Sequence, residues 1–239
     1  MVERIQLNHH TVRVVAAGNG YAAYRDNDFT DKYVKLQFTD ADGDTVRRTY
    51  TVRRSEPAQQ RLTLDFVVHG DEGVAAPWAR SAAPGDVLRL SGAGGGYRPA
   101  SGVDAHVFLA DESALPAVNA ALEVLPADAR GVAFLETSSR DGALDVAPPR
   151  GVEVVWIDRP EPGTTPGLLA DALRAWPRPA GPLDVFAHGE RESMKAVRAV
   201  LRELTTDADH VSISGYWAYG RTEDRFQAEK REPVGNIDG

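Results

Sequence analysis

The sequence of 239 residues predicts two successive folds, an N-terminal antiparallel β-barrel and then a doubly wound α/β domain built on a parallel sheet. Three observations predict this. Short strands separated by turn residues fill the first hundred positions, strands alternate with helices of about ten residues afterwards, and a glycine-rich stretch, Gly92-Ala93-Gly94-Gly95-Gly96, divides the patterns. The length exceeds that of most single domains and suits two. The domains are expected at residues 1–101 and 102–239.

In the first region, residues 33–38 alternate apolar and polar, and Asp40, Asp42, Gly43 and Asp44 supply turn chemistry after them. Residues 47–53, 61–69 and 86–91 read as further strands. Residues 75–83, rich in alanine with Pro77 near the start, read as a short helix, whose unpaired N–H groups suit a pyrophosphate. In the second region, strands are expected at 106–110, 131–136, 152–157, 183–187 and 210–214. Helices are expected at 115–125, 167–176 and 193–204, the first with Leu115, Val118, Ala121, Leu122 and Leu125 on one side.

Composition excludes several classes. Apolar residues at 42% and charged residues at 26% describe a chain able to bury a core. No apolar stretch approaches the roughly 20 residues of a membrane helix, so no membrane span is expected. Glu3, Arg4 and Gln6 stand where a secretory signal would place its apolar core, so a cytoplasmic protein is expected. With no cysteine, disulfides, thiolate catalysis and cysteine-held iron–sulfur clusters are all excluded. A net charge of -8 argues against nucleic acid as a partner. The adjacent pair His9-His10 lacks metal-ligand spacing, and no metal site is expected.

The segment with the most specific chemistry is Arg48-Thr49-Tyr50-Thr51-Val52-Arg53. On an alternating strand Arg48, Tyr50 and Val52 share one face, and Thr49, Thr51 and Arg53 the other. A flavin site needs an aromatic surface, a donor near the reactive edge of the ring and a cation for the diphosphate. Tyr50, Thr51 and Arg48 are those three types; a basic strand with a packed tyrosine is the plainer alternative.

Five ordered segments resemble the siderophore-interacting protein family, FAD-dependent ferric-siderophore reductases related to the ferredoxin–NADP reductases. They are Arg48 with Tyr50, Thr51 and Arg53; the run Asp65-Phe66-Val67-Val68-His69-Gly70; Gly73 with Pro77-Trp78-Ala79 and Pro84-Gly85-Asp86; Asp111-Glu112-Ser113-Ala114-Leu115-Pro116; and Gly189-Glu190 with Tyr216-Trp217. The resemblance implies that Tyr50 stacks on the isoalloxazine, that Thr51 bonds near its redox-active nitrogen and that Arg48 pairs with the FAD phosphates. Arg53, Asp65, His69, Gly73, Trp78 and Ala79 complete the implied flavin set, although Trp78 also suits plain core packing and His69 an ordinary strand end.

For NADPH or NADH the resemblance implies the acidic turn Asp111, Glu112 and Ser113, which would equally suit capping of the next helix. A Gly-x-Gly-x-x-Gly fingerprint is absent. Ser138, Ser139 and Arg140 suit a 2′-phosphate, whereas Glu136 nearby suits the bare ribose. Gly189 and Glu190 are implied near the nicotinamide, with Tyr216 and Trp217 flanking the cleft between the domains. Many family members carry an arginine after the Tyr-Trp pair; Ala218 stands here, and Arg221 or Arg225 could replace it.

The implied reaction passes electrons from NAD(P)H through FAD to Fe(III) in a ferric siderophore, releasing Fe(II). Such chelates are often anionic, which makes Lys35 and Arg231 candidate substrate residues, with Lys32 and Lys230 behind them. A monomer is expected. An NAD(P)H:flavin reductase with a protein acceptor, and a siderophore- or flavin-binding protein without turnover, are the competing readings.

Overall fold

The computed structural model describes residues 1–68, 73–138, 146–160, 165–204, 206 and 210–237. The chain divides into two compact units, Met1–Arg98 and Pro99–Gly239, the break falling three residues before the expected one.

The first unit is a six-stranded antiparallel sheet. Its strands are β1 (Glu3–Asn8), β2 (Thr11–Ala17), β3 (Tyr33–Thr39), β4 (Thr45–Glu56), β5 (Arg61–Val67) and β6 (Arg89–Gly94), in the order β1-β2-β5-β4-β3-β6. Met1 joins its ends: the amino terminus donates to the Asp86 carbonyl at 2.5 Å and the Met1 carbonyl accepts from Gly85 N–H at 3.1 Å. The segments before β1 and before β6 therefore meet.

Alternation sets the interior of this sheet. Val34, Leu36 and Phe38 of β3 are buried with Val12, Val14, Val52, Leu62, Leu64 and Phe66, because successive side chains of a strand take opposite faces. Helix α1 (Ala75–Ser81) closes the core with Ala75 and Ala79. Trp78 stands edge-on to Phe38, ring centroids 5.7 Å apart, and 5.7 Å from Phe66.

The second unit contains five parallel strands: β7 (Ala105–Ala110), β8 (Arg130–Thr137), β9 (Gly151–Asp158), β10 (Leu183–Glu190) and β11 (Val211–Trp217). They run in the order β11-β10-β7-β8-β9, with helices α2 (Leu115–Val124), α3 (Leu168–Ala175), α4 (Arg191–Glu203) and α5 (Glu223–Glu229). The first strand is thus central, and the chain extends from it first to one side and then to the other. That reversal puts a topological switch point between the carboxyl ends of β7 and β10, where open α/β sheets bind ligands.

One face of the sheet buries Val107, Leu109, Val132, Val185 and Ala187 against α3 and α4. Met194, Val197, Val200 and Leu201 form the apolar stripe of α4 at helical spacing. At the amino ends of β7 and β10, His106 Nδ1 lies 2.9 Å from Asp184 Oδ2, which also accepts from Ala100 N–H at 3.2 Å. This pair fixes the chain where it enters the unit.

Several expected strands have other bounds. β10 continues through His188, Gly189 and Glu190, β4 spans Thr45–Glu56 where residues 47–53 were expected, and β5 spans Arg61–Val67 where residues 61–69 were expected. β11 spans Val211–Trp217 where residues 210–214 were expected, and β6 spans Arg89–Gly94 where residues 86–91 were expected. Asp86 is a turn acceptor, its Oδ2 taking Ala83 N–H at 2.8 Å. The sequence pattern also left β1, β2 and α5 unassigned. For α5 a signal exists: Thr222 Oγ1 accepts from Arg225 N–H at 3.3 Å, and Glu223 and Asp224 follow in the first turn.

Leu64 is fully buried, so Leu64→Ala is expected to cost about 2–5 kcal/mol through lost contacts and a residual cavity, read as a lowered urea midpoint at unchanged slope.

Candidate functional site

Candidate residues gather in two places, one in each unit. In the first unit they lie on β4, which pairs with β3 so that Val34 faces Tyr50, Leu36 faces Arg48 and Lys35 faces Thr49. Tyr50 and Arg48 accordingly share the inner face with Val34 and Leu36. The Tyr50 ring lies 4.3 Å from that of Phe66, tilted by 36°.

The opposite face carries a different set. Tyr33 pairs with Thr51, and Lys35 with Thr49, so Tyr33, Lys35, Thr49 and Thr51 point the same way. Lys35 Nζ donates to Thr49 Oγ1 at 2.6 Å and lies 5.9 Å from the Tyr33 ring centroid. Thr51 is 8% exposed, and its hydroxyl has no hydrogen-bond partner among the described residues.

Past Val52 the strand does not keep its expected phase. Val52 pairs with Leu64 but Arg54 pairs with Thr63, so Arg53 is the extra residue of a β-bulge and the alternation restarts after it. Asp65 is held in a cross-strand pair, its two oxygens accepting from Arg13 Nε at 2.7 Å and Nη2 at 2.8 Å. Gly73 precedes α1 with φ 77°, a left-handed conformation that favours glycine, with open space where a Cβ would stand. Ala79 is buried on the core side of α1, whose first N–H groups have no side-chain cap. His69 lies outside the described residues.

In the second unit, the switch point is built around one carboxylate. Asp111, 2% exposed, follows β7; its Oδ1 accepts from Ser113 N–H at 2.9 Å and from the Ser113 hydroxyl at 2.5 Å. Its Oδ2 accepts from Glu190 N–H at 2.8 Å and from the Trp217 indole at 2.8 Å. Burial pushes the Asp111 pKa up, against the pull of the Ser113 and Trp217 hydrogen bonds. Gly189 is required beside it, since a Cβ there would stand 2.8 Å from Oδ2.

Helix capping is placed differently from the expectation. The N-cap of α2 is Ala114, with no side-chain hydrogen bond, because Asp111 is committed to β10 and β11. Glu190 caps α4 instead: its Oε2 accepts from Glu192 N–H at 2.6 Å and Ser193 N–H at 3.0 Å, and its Oε1 takes Tyr219 N–H at 3.1 Å. Tyr216 stands edge-on to the ring of His188, 5.0 Å away.

A second cluster spans the ends of β7, β8 and β9. Glu112 Oε1 accepts from Ser138 N–H at 2.6 Å and the Ser138 hydroxyl at 2.9 Å, while its Oε2 takes Arg159 Nη2 at 2.7 Å. Arg159 Nη1 reaches Glu136 at 3.3 Å. For Glu112 burial is outweighed by Arg159 and Ser138, which hold its pKa below the usual range. For Glu136 burial prevails over the longer contact with Arg159, and nearby Asp111 adds to it, so its pKa is pushed up to about 7.

Arg159 carried no local signal in the sequence; strand ends that are distant in the chain bring it to its two carboxylates. Ser139 and Arg140 lie outside the described residues. Ala218 is buried, and Arg221 and Arg225 both turn to Glu229, at 2.7 and 3.0 Å. Arg231 is exposed after α5. Among the described residues no group of three or more His, Asp or Glu side chains could hold a metal ion, and no helix is long and apolar enough to cross a membrane.

An antiparallel unit with a flavin-type strand, followed by a parallel unit with its polar residues at the switch point, defines a ferredoxin reductase-like fold. A Plasmodium falciparum ferredoxin–NADP+ reductase shares that fold at 12% identity, with a TM-score of 0.64 over 87% of this chain and 90% of its own. Residues 37–97 match the siderophore-interacting FAD-binding domain, and residues 103–220 match the siderophore-interacting protein family.

The chain belongs to the siderophore-interacting protein family, and its cofactor is FAD. It is 39% identical to an uncharacterized Mycobacterium tuberculosis protein over 93% of this chain and 90% of that protein. It is 35% identical to the ferric vibriobactin reductase ViuB of Vibrio cholerae, over 77% of this chain and 69% of ViuB. A siderophore utilization protein from T. fusca, 34% identical, superposes with a TM-score of 0.81 over 92% of both chains. The residues on β4 fit a flavin: a half-buried tyrosine is followed by a hydroxyl with no described partner.

Two outcomes are expected at the switch point. Asp111→Asn replaces an acceptor with a donor where two N–H groups already converge, and should lower stability by about 1–3 kcal/mol and shift Trp217 fluorescence. For Glu136, the folded state keeps a proton that the unfolded chain has lost between the ordinary carboxylate range and pH about 7. Its contribution to stability is therefore present at low pH and lost as pH rises through about 7. Urea titrations across pH 5–8 should show a decline of about 1–3 kcal/mol that Glu136→Gln flattens.

Proposed function

We propose that the chain is an NAD(P)H-dependent FAD reductase that delivers electrons to Fe(III) held by an anionic siderophore and releases it as Fe(II) in the cytoplasm. The observation that carries this reading is the shared outward face of Thr51, Lys35 and Tyr33, where a hydroxyl without a described partner, a cation and a half-exposed ring adjoin. The ViuB relative, a ferric vibriobactin reductase, supports the choice of acceptor.

When bound, FAD supplies the conversion of a hydride donor's electron pair into single electrons. The chain's own residues bind and orient. Tyr50 offers its ring, Thr51 its hydroxyl at the reactive edge and Arg48 its charge to the phosphates. Lys35 draws an anionic chelate toward a chain whose overall charge of -8 repels it. Siderophore oxygen donors hold Fe(II) less firmly than Fe(III), so reduction frees the metal without a protein ligand.

For the nicotinamide substrate, Asp111 fixes the turn at Gly189 and Glu190, and Glu112 with Arg159 shapes the ends of β7 to β9. Both Ser138 donors are engaged by Glu112, and Arg159 by two carboxylates, so a 2′-phosphate would have to draw on other residues.

Steady-state reduction of ferric siderophores, followed by trapping Fe(II) with a chromogenic chelator, tests the reading. Lys35→Ala is expected to raise KM for anionic chelates about tenfold with little change in kcat or in KM for neutral ones. Thr51→Ala should retain FAD but lower kcat by about two orders of magnitude. Absence of ferric-chelate reduction by the FAD-loaded wild type would refute the proposal.

A further inference from the structure

Outside the residues assigned to flavin and nicotinamide, the second unit contains a cavity of about 300 Å³ at the edge of its sheet. That volume is at the lower end of those found for small-molecule sites. Arg191, Ile213, Ser214, Gly215 and Phe226 line it from β11, α4 and α5, and Lys230, Asn236 and Ile237 line it from the segment that follows. Arg191, Gly215 and Phe226 are buried and form the floor; Lys230 and Asn236 are exposed at the rim.

The floor keeps one guanidinium whose two carboxylate partners are shared with other cations. The Arg191 side chain is 6% exposed; its Nε donates to Glu192 at 3.1 Å and its Nη1 to Glu229 at 2.7 Å. Its Nη2 has no partner among the described residues. The same two carboxylates also serve Lys195 at 3.0 Å, Arg221 at 2.7 Å and Arg225 at 3.0 Å. Four cations thus share Glu192 and Glu229.

Hydrogen bonds from Arg191, Arg225 and Arg221 hold the Glu229 pKa down at about 2, so protonation does not alter that balance near neutral pH. A buried guanidinium left with a free N–H is costly unless a ligand or water takes it. A guanidinium with a remaining donor in a cavity lining favours an anionic head group. The remaining walls add a second requirement: Ile213, Phe226 and Ile237 are apolar, whereas Ser214 and Asn236 can hydrogen-bond a head group.

We propose that this cavity binds a small organic anion, a carboxylate or phosphate monoester with an apolar body, whose head group meets Arg191 and whose body lies against Ile213, Phe226 and Ile237. Nothing in the electron-transfer reading requires this site, and it stands or falls separately.

Calorimetric titration of the full FAD-loaded chain with benzoate, phenyl phosphate and inorganic phosphate tests it. Saturable binding of one organic anion per chain is expected, with inorganic phosphate at least tenfold weaker because it lacks an apolar body. Arg191→Gln should weaken binding at least tenfold. Since Arg191 is also an ion-pair partner, Ser214→Leu is the second variant: it fills the cavity, leaves the guanidinium in place, and should abolish binding while FAD content is unchanged. Failure of both organic anions to saturate, inorganic phosphate binding as tightly as phenyl phosphate, or undiminished affinity in Ser214→Leu would each overturn the proposal.

Discussion

The carboxylate of Asp111 is the constraint on which the second unit depends. A buried charge is tolerated only when its oxygens are satisfied, and here four donors converge on it from the turn after β7, the end of β10 and the end of β11. Those segments flank the topological switch point. Holding them to one side chain fixes where β10 stops and α4 starts, with Glu190 as the cap, and it leaves no room for a side chain at Gly189. With Asp111 2% exposed, burial pushes its pKa up against the pull of the Ser113 and Trp217 hydrogen bonds.

The two units place polar chemistry by different means. In the antiparallel unit, alternation along β4 ahead of the bulge at Arg53 turns the neighbouring residues Tyr50 and Thr51 to opposite sides of the strand. In the parallel unit both faces of the central strands are buried, and polar side chains collect at the carboxyl ends. The Glu112–Arg159–Glu136 bridge illustrates this, since it joins three strand ends whose residues are far apart in the chain.

Legibility in the sequence followed the range of the interactions. Val34, Leu36 and Phe38 announced β3 by period, and the alternation of strands and helices announced the parallel unit. The bulge at Arg53 had no such signature, because it is defined by pairing with β5. β6 was displaced for a related reason: Gly92 and Gly94 resemble a loop, but Gly94 is where the Tyr33 ring crosses the strand, 2.1 Å from where a Cβ would be. Asp111 was visible as a ligand-type residue at a strand end. Its partners Glu190 and Trp217 lie 79 and 106 residues away, so the bonding that engages both of its oxygens left no local signal.

The claim that joins these parts is that electrons leave this protein for chelated iron. Anaerobic stopped-flow mixing of the reduced, FAD-loaded chain with ferric siderophores, and separately with dioxygen and a ferredoxin, measures it most directly. At least one anionic ferric siderophore is expected to reoxidise the flavin faster than either alternative acceptor, with Fe(II) appearing at the same rate. Reoxidation by every ferric siderophore no faster than by dioxygen would contradict it.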